Sequence, residues 1–208
     1  MSTARRLAPP LLLGVVLVAL VVSFVSPYSR LTWLLETVWV IVGIPAILLT
    51  WRRFPLTTLL CCLLTVHALI LIGGGHYTYA RTPLGNWARD AFDLARNPYD
   101  RLGHFAQGFV PAVLVREILV RRSPLRGSRW LAPLTVCACL AFSAFFELIE
   151  WWSAVIGGSA ADDFLATQGD VWDTQWDMFL ALIGAITSLL LLSRWHDRQL
   201  ARLETDAR

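Results

Sequence analysis

Acidic and imidazole side chains recur in this sequence at helical spacing. Asp100 and His104 are four apart, Glu147 and Glu150 three apart, and Asp173 and Asp177 four apart, with His76 standing alone. Residues three or four apart share a helix face, so three helices can each aim a carboxylate or imidazole at one pocket. Carboxylate oxygens and imidazole nitrogens are the donor set of zinc and two-metal centres, where a spare Glu can serve as general base on metal-bound water. His76, Asp100, His104, Glu147, Glu150, Asp173 and Asp177 are the candidate metal ligands. Tyr77, Tyr79, Arg101, Gln107, Gln168, Asp170 and Gln175, their neighbours in sequence, are the candidate contacts for a bound ligand. No catalytic residue can be assigned. His-Glu-x-x-His and Gly-x-Ser-x-Gly are absent. The spacing of Asp170, Asp173 and Asp177 is not that of an EF-hand loop, and the Lys- and Arg-based pattern of lipid phosphatases is missing. Metal-dependent enzyme and binding protein therefore both stand.

The elements that must position these groups are membrane helices. Of 208 residues, 56% are hydrophobic and only 16% charged, where a soluble domain carries about a quarter charged residues. The apolar residues come in blocks, and a bilayer selects blocks of roughly 20. Six stretches are predicted to span: Pro9–Val25, Leu31–Trp51, Phe54–Gly75, Leu102–Val120, Trp130–Trp152 and Trp176–Trp195. The chain thus reads as one all-α membrane domain over residues 1–208. The formal charge of +3 is too small and too scattered to suggest nucleic acid, and all 18 basic residues are Arg. The bilayer is the expected partner, beside an envelope small molecule or lipid head group at the pocket. Oligomeric state is not legible.

Arginine placement gives orientation. Arg5, Arg6, Arg52, Arg53, the run Arg116 to Arg129 and the C-terminal arginines fall on one side of the six crossings. The other side holds five, and the loop from Ser153 to Gln175 has none. The richer side is expected to be cytoplasmic, which puts both termini inside a bacterial inner membrane. The first helix resembles a signal peptide in charge, but Ser23-Phe24-Val25-Ser26 is a poor cleavage site, so it is expected to be retained.

Depth follows from helical rise. Glu147 lies about 24 Å from the inner side and Glu36 about 8 Å below the outer end of its helix. His76, His104 and Asp177 also fall near the outer face. On this reading the inner half holds no internal carboxylate, which argues against a transport path. The same groups have an architectural use, because Asp173 can cap a helix, Arg101 can neutralise an acid, and a polar network can hold helices together. The sequence leaves both uses standing.

Other features read more simply. Cys61, Cys62, Cys137 and Cys139 sit in apolar runs and are expected to be unpaired packing residues. His67, at mid-depth, is expected to be a hydrogen-bonded packing residue. Trp33, Trp87, Trp151, Trp152, Trp172 and Trp176 read as interface anchors, and Pro45 should kink the second helix. Asn86–Arg96 is expected to form an amphipathic helix on the outer leaflet, with Trp87, Ala91, Leu94 and Ala95 inward and Arg89, Asp93 and Arg96 outward. Ser159 and Asp162 suggest the start of another short helix. Thr167-Gln168-Gly169-Asp170 recurs seven residues later as Thr174-Gln175-Trp176-Asp177.

Four runs carry a resemblance across nearly the whole chain: Gly75–Tyr79, Asn97–Phe105, Phe146–Trp151 and Thr167–Met178. With these the sequence resembles the YjdF-like family of bacterial inner-membrane proteins, which has no established activity. More distantly, the order Asp100, His104, Glu150, Asp173, Asp177 is similar to the VanZ-like proteins, linked to glycopeptide-antibiotic resistance at the cell envelope. That family has a Gln soon after the acid where Trp151 and Trp152 stand here, and a late Asn that this chain lacks.

Overall fold

Apolar runs of this length must satisfy their own backbone polar groups when no water is at hand, and the α-helix does so within one segment. The computed structural model describes residues 3–157, 165 and 167–206, and among them no strand occurs. Helix α1 covers Thr3–Ser23, α2 Arg30–Thr50, α3 Thr58–Tyr77, α4 Pro83–Ala91, α5 Tyr99–Arg122, α6 Leu131–Gly157 and α7 Asp173–Asp206, with a 3-10 turn at Tyr79–Arg81. Helices α2, α3, α6 and α7 are long and apolar enough to cross a membrane, and α1 adds a shorter apolar stretch, Leu7–Ser23. Exposed aliphatic side chains such as Leu11, Val18 and Leu49 on α1 and α2 form the kind of outer surface that lipid accepts and water does not.

The longest amphipathic problem belongs to α5, which carries Asp100, Arg101, Arg116, Glu117, Arg121 and Arg122. It solves it by position. Helix α5 packs against α3, α6 and α7, and Asp100, Arg116 and Glu117 are buried against those neighbours. Its contact with α7 is a seam of small residues. A Cβ on Gly108 would lie 1.8 Å from the Ala181 carbonyl oxygen, and one on Gly184 2.2 Å from that of Phe105, so the two backbones approach as only glycine permits. Ala112, Cys139 and Ala185 extend the seam to α6. On the other flank Val16, Val40, Ala68 and Ile72 join α1, α2 and α3.

Several boundaries differ from the sequence expectation, each for a local reason. Helix α3 begins at Thr58 rather than Phe54, because the Thr57 side chain caps it by accepting from the Leu60 N–H. Helix α7 continues eleven residues past Trp195. Hydropathy ends there, but Leu200 remains buried against Val120 and Leu131. The amphipathic helix is shifted toward the N-terminus, starting with Pro83 at its first turn and ending at Ala91. Asp93 then takes a positive φ of 51°, a left-handed step that a helix cannot absorb. Arg96 is thereby turned inward instead of outward. Pro45 lies within α2, which continues to Thr50. The short helix expected from Ser159 lies outside the described residues.

The arginine-rich end of the bundle overturns one expectation outright. Glu117, thirteen residues beyond His104 on α5, is a fully buried carboxylate, so this half is not free of internal acids. Its Oε1 accepts from the Thr57 N–H at 3.2 Å and from Arg121 at 2.8 Å. Its Oε2 accepts from the Thr57 hydroxyl at 2.8 Å and lies 3.0 Å from His196 Nε2. His196 Nδ1 meets Arg116 Nη1 at 3.0 Å. Since the guanidinium can only donate, Nδ1 accepts and Nε2–H donates to Glu117. The carboxylate is thus met on both oxygens, and the network clamps α3, α5 and α7 together. Sequence reading passed over it because hydropathy treats Arg116 to Arg129 as one polar flank.

His67 Nε2 is buried with no hydrogen-bond partner, because its helix face borders a cavity rather than a polar neighbour. Trp33 is buried and donates its indole N–H to the Ser23 hydroxyl, so it is a packing residue, whereas Trp87, Trp151, Trp152, Trp172 and Trp176 are exposed. The four cysteines are unpaired.

Candidate metal centre

At the end of the bundle where α5 and α7 begin, acids from α5, α6 and α7 converge on His104. Helix α5 brings Asp100 one turn before it, and His104 Nε2 lies 3.5 Å from Asp100 Oδ1. Helix α7 brings Asp177, whose Oδ2 is 3.8 Å from the same nitrogen. Helix α6 brings Glu147, whose Oε1 is 3.8 Å from His104 Nδ1. One donor atom from each of Asp100, His104 and Asp177 falls within 4.8 Å of the others, and all three residues are buried.

Two features separate this group from ordinary interhelical packing. First, His104 Nδ1, Glu147 Oε1 and Asp177 Oδ1 are buried polar atoms without a hydrogen-bond partner, and buried polar atoms are nearly always satisfied. Second, the acids outnumber the cations. Glu150 on α6 is buried within electrostatic reach of Glu147, Asp100, Glu36 and Asp177, and Glu36 on α2 is buried at 3% exposure. Such crowding of buried carboxylates calls for counter-charge.

The loop residues settle the rim. Arg96 bonds Asp173, reaches Asp100 at 3.2 Å and Asp170 at 3.5 Å. Arg101 holds Asp170 at 2.9 Å and lies over the Trp176 ring. Asp173 is the first residue of α7, and its carboxylate is directed to Arg96 while Asp170 accepts from the Trp172 N–H. Gln168 grips Asn97 by both main-chain groups, accepting from its N–H and donating to its carbonyl, each at 3.0 Å. Gln168 and Asp170, expected as ligand contacts, are thus occupied in fixing the loops.

The remaining candidates divide. His76 is not brought to the group: its ring Nδ1 donates to the Ser23 carbonyl at 2.8 Å, tying the end of α3 to that of α1. Tyr77 and Gln175 are exposed. Tyr79 is buried between Gly74 and Gly103 and hydrogen-bonds Glu36. Lying in the turn outside the helices, its phenol is held well above its ordinary pKa by burial and by the Glu36 carboxylate. Gln107 sits one turn beyond His104 and, with it, borders the cavity. Glu36 and Arg96 are the residues missing from the candidate set. Glu36 has no acidic or imidazole partner at helical spacing, and Arg96 read as a solvent-facing charge. Burial of a lone Glu in an apolar helix was the available signal for the first.

Against known proteins, residues 8–198 match the family described as "Predicted membrane protein (DUF2238)". The chain belongs to this family. It is 53% identical over 183 residues to "Inner membrane protein YjdF" of Escherichia coli strain K12, covering 88% of each chain. No solved structure matches. The chain is thus a multi-pass inner-membrane protein, and the four runs that carried the resemblance hold Asp100, His104, Glu147, Glu150, Asp173 and Asp177. These matches give no support to the likeness with VanZ-like proteins.

Proposed function

We propose that this DUF2238 protein crosses the inner membrane six times, both termini cytoplasmic, and binds a divalent cation at the outer leaflet through Asp100, His104 and Asp177. The six crossings are α1, α2, α3, α5, α6 and α7, with α5 admitted because Asp100, Arg116 and Glu117 along it are buried against protein. The arginines of α7's end, of Arg52-Arg53 and of the α5–α6 connection then lie inside.

One observation carries the metal reading: carboxylate oxygens of Asp100 and Asp177 lie 3.5 and 3.8 Å from His104 Nε2, and one donor atom from each of the three buried residues falls within 4.8 Å of the others. Ligands held at about 2.0–2.2 Å from a zinc ion are separated by roughly the first two of these distances. Glu147 opposite Nδ1 adds the outer carboxylate that orients a metal-bound histidine. Two aspartates would neutralise the ion's charge. Elemental analysis of protein purified without chelator tests this, beside His104→Ala and Asp177→Asn. About one equivalent in the wild type and loss in both variants is expected; no stoichiometric ion in the wild type overturns it.

A metal-dependent enzyme acting on a lipid or envelope substrate is the second reading. Its support is Glu147 Oε1, buried without a hydrogen-bond partner 3.8 Å from His104 Nδ1, where a general base for metal-bound water would stand. A polar network that only joins helices is the third, and predicts an empty analysis with both variants less stable than the wild type.

A further inference from the structure

Between α2 and α5, with α3 behind, lies a cavity of about 1230 Å³ whose wall is mainly aliphatic and aromatic, including Val40, Ile47, Leu64, Leu71 and Leu114. Along α5 it extends from His104 to Arg122, eighteen residues or about 27 Å, close to the thickness of a bilayer's hydrocarbon core. It opens sideways: Leu48 on α2 and Ile118 on α5 both line it and are 54% and 42% exposed.

Its two ends differ in charge. Arg53, Arg122 and Arg202 line the arginine-rich end. Arg122 donates to the Arg53 carbonyl and lies over the Phe54 ring. Among the described residues, none of the three guanidiniums is within ion-pair distance of a carboxylate, although Arg116, Arg121 and Arg126 nearby each have one. Unpaired guanidiniums at the mouth of an apolar, laterally open cavity complement a ligand with an anionic head and an apolar tail. Arginine suits phosphate oxygens in particular.

We infer that this cavity binds an anionic phospholipid of the inner leaflet, its phosphate at Arg53, Arg122 and Arg202 and one acyl chain between α2 and α5. A single leaflet contributes about 15 Å of hydrocarbon, so the chain fills the arginine-side half and stops short of His104. A free phosphate would leave that apolar length unfilled, and a zwitterionic head brings an amine that the guanidiniums repel. The site is separate from the metal group and does not depend on it.

Native mass spectrometry of the purified full chain, offered phosphatidylglycerol or phosphatidylethanolamine of identical acyl composition, tests the inference. The wild type should retain phosphatidylglycerol about tenfold more strongly. The combined Arg53→Gln, Arg122→Gln, Arg202→Gln variant should lose the preference, while Arg129→Gln, exposed and outside the cavity, keeps it. Gly43→Leu should reduce retention of both lipids; Gly43 lines the cavity and its Cβ would meet no atom within 4 Å, so the fold tolerates the change. Equal retention of the two lipids by the wild type overturns the inference. So does an unaltered preference in the triple variant, or a loss in His104→Ala that the triple variant does not share.

Discussion

Arg96 and Asp173 join across 77 residues of chain, closing the loop before α5 onto the start of α7. The same guanidinium reaches Asp100, so one cation braces two acids from different helices. It leaves Asp177 Oδ1 and His104 Nδ1 without a hydrogen-bond partner. The bundle end is therefore divided between acids held by arginine and donors left facing one another.

Replacing Arg96 by Gln removes the brace and leaves Asp100 and Asp173 uncompensated. Breaking a buried pair costs roughly 3–5 kcal/mol, an upper bound here because the acids can take up protons. Arg96→Lys should restore part of the loss, since a point charge lacks the fork that spans two carboxylates. Thermal unfolding in detergent reads both; wild-type melting in each would deny the brace a structural role.

Zn²⁺ or Mn²⁺ binding only to the folded chain must raise its melting temperature, by the equivalent of about 2.7 kcal/mol at a hundredfold excess over Kd. His104→Gln and Asp177→Asn should abolish the shift. Binding displaces protons from imidazole and carboxylate, so the shift should shrink as pH falls. A shift that grew on acidification would contradict these ligands.

Glu117→Gln is expected to destabilise the chain by several kcal/mol, because Arg121 and His196 lose their buried anion. Metal content should be unchanged. Glu117 lies about 20 Å along α5 from His104, so combining Glu117→Gln with Asp177→Asn should give the sum of their separate effects within about 0.5 kcal/mol. Marked non-additivity in a double-mutant cycle would show that the two polar clusters communicate.

Gly108→Ala should be more damaging than its single methyl suggests. The added carbon meets the Ala181 backbone, which cannot rotate away, and overpacking of this kind costs about 1–3 kcal/mol or more. A melting temperature within a degree of wild type would mean that α5 and α7 are not in contact at this point.

The legible part of the site was what spacing controls. Asp100 with His104, and Asp173 with Asp177, were placed on shared faces by the 3.6-residue period alone, and the structure brings Asp100, His104 and Asp177 together. Spacing had nothing to say about Glu36, which meets Tyr79 and the other acids only through packing of α2, nor about Arg96, whose direction depends on one left-handed residue at Asp93. His76, close to the others in depth, is turned toward α1.

By itself the sequence determined the helical class, the apolar blocks, the family and the spacing of the ionisable groups along each helix. All of these depend on composition and on rise per residue, which are properties of one segment at a time. Only the tertiary structure decided which faces meet, because the rotation of each helix about its axis is set by its neighbours. The Gly108–Ala181 and Gly184–Phe105 contacts fix α5 against α7, and that fixed rotation gives His104 its acidic neighbours and Glu117 its full set of partners.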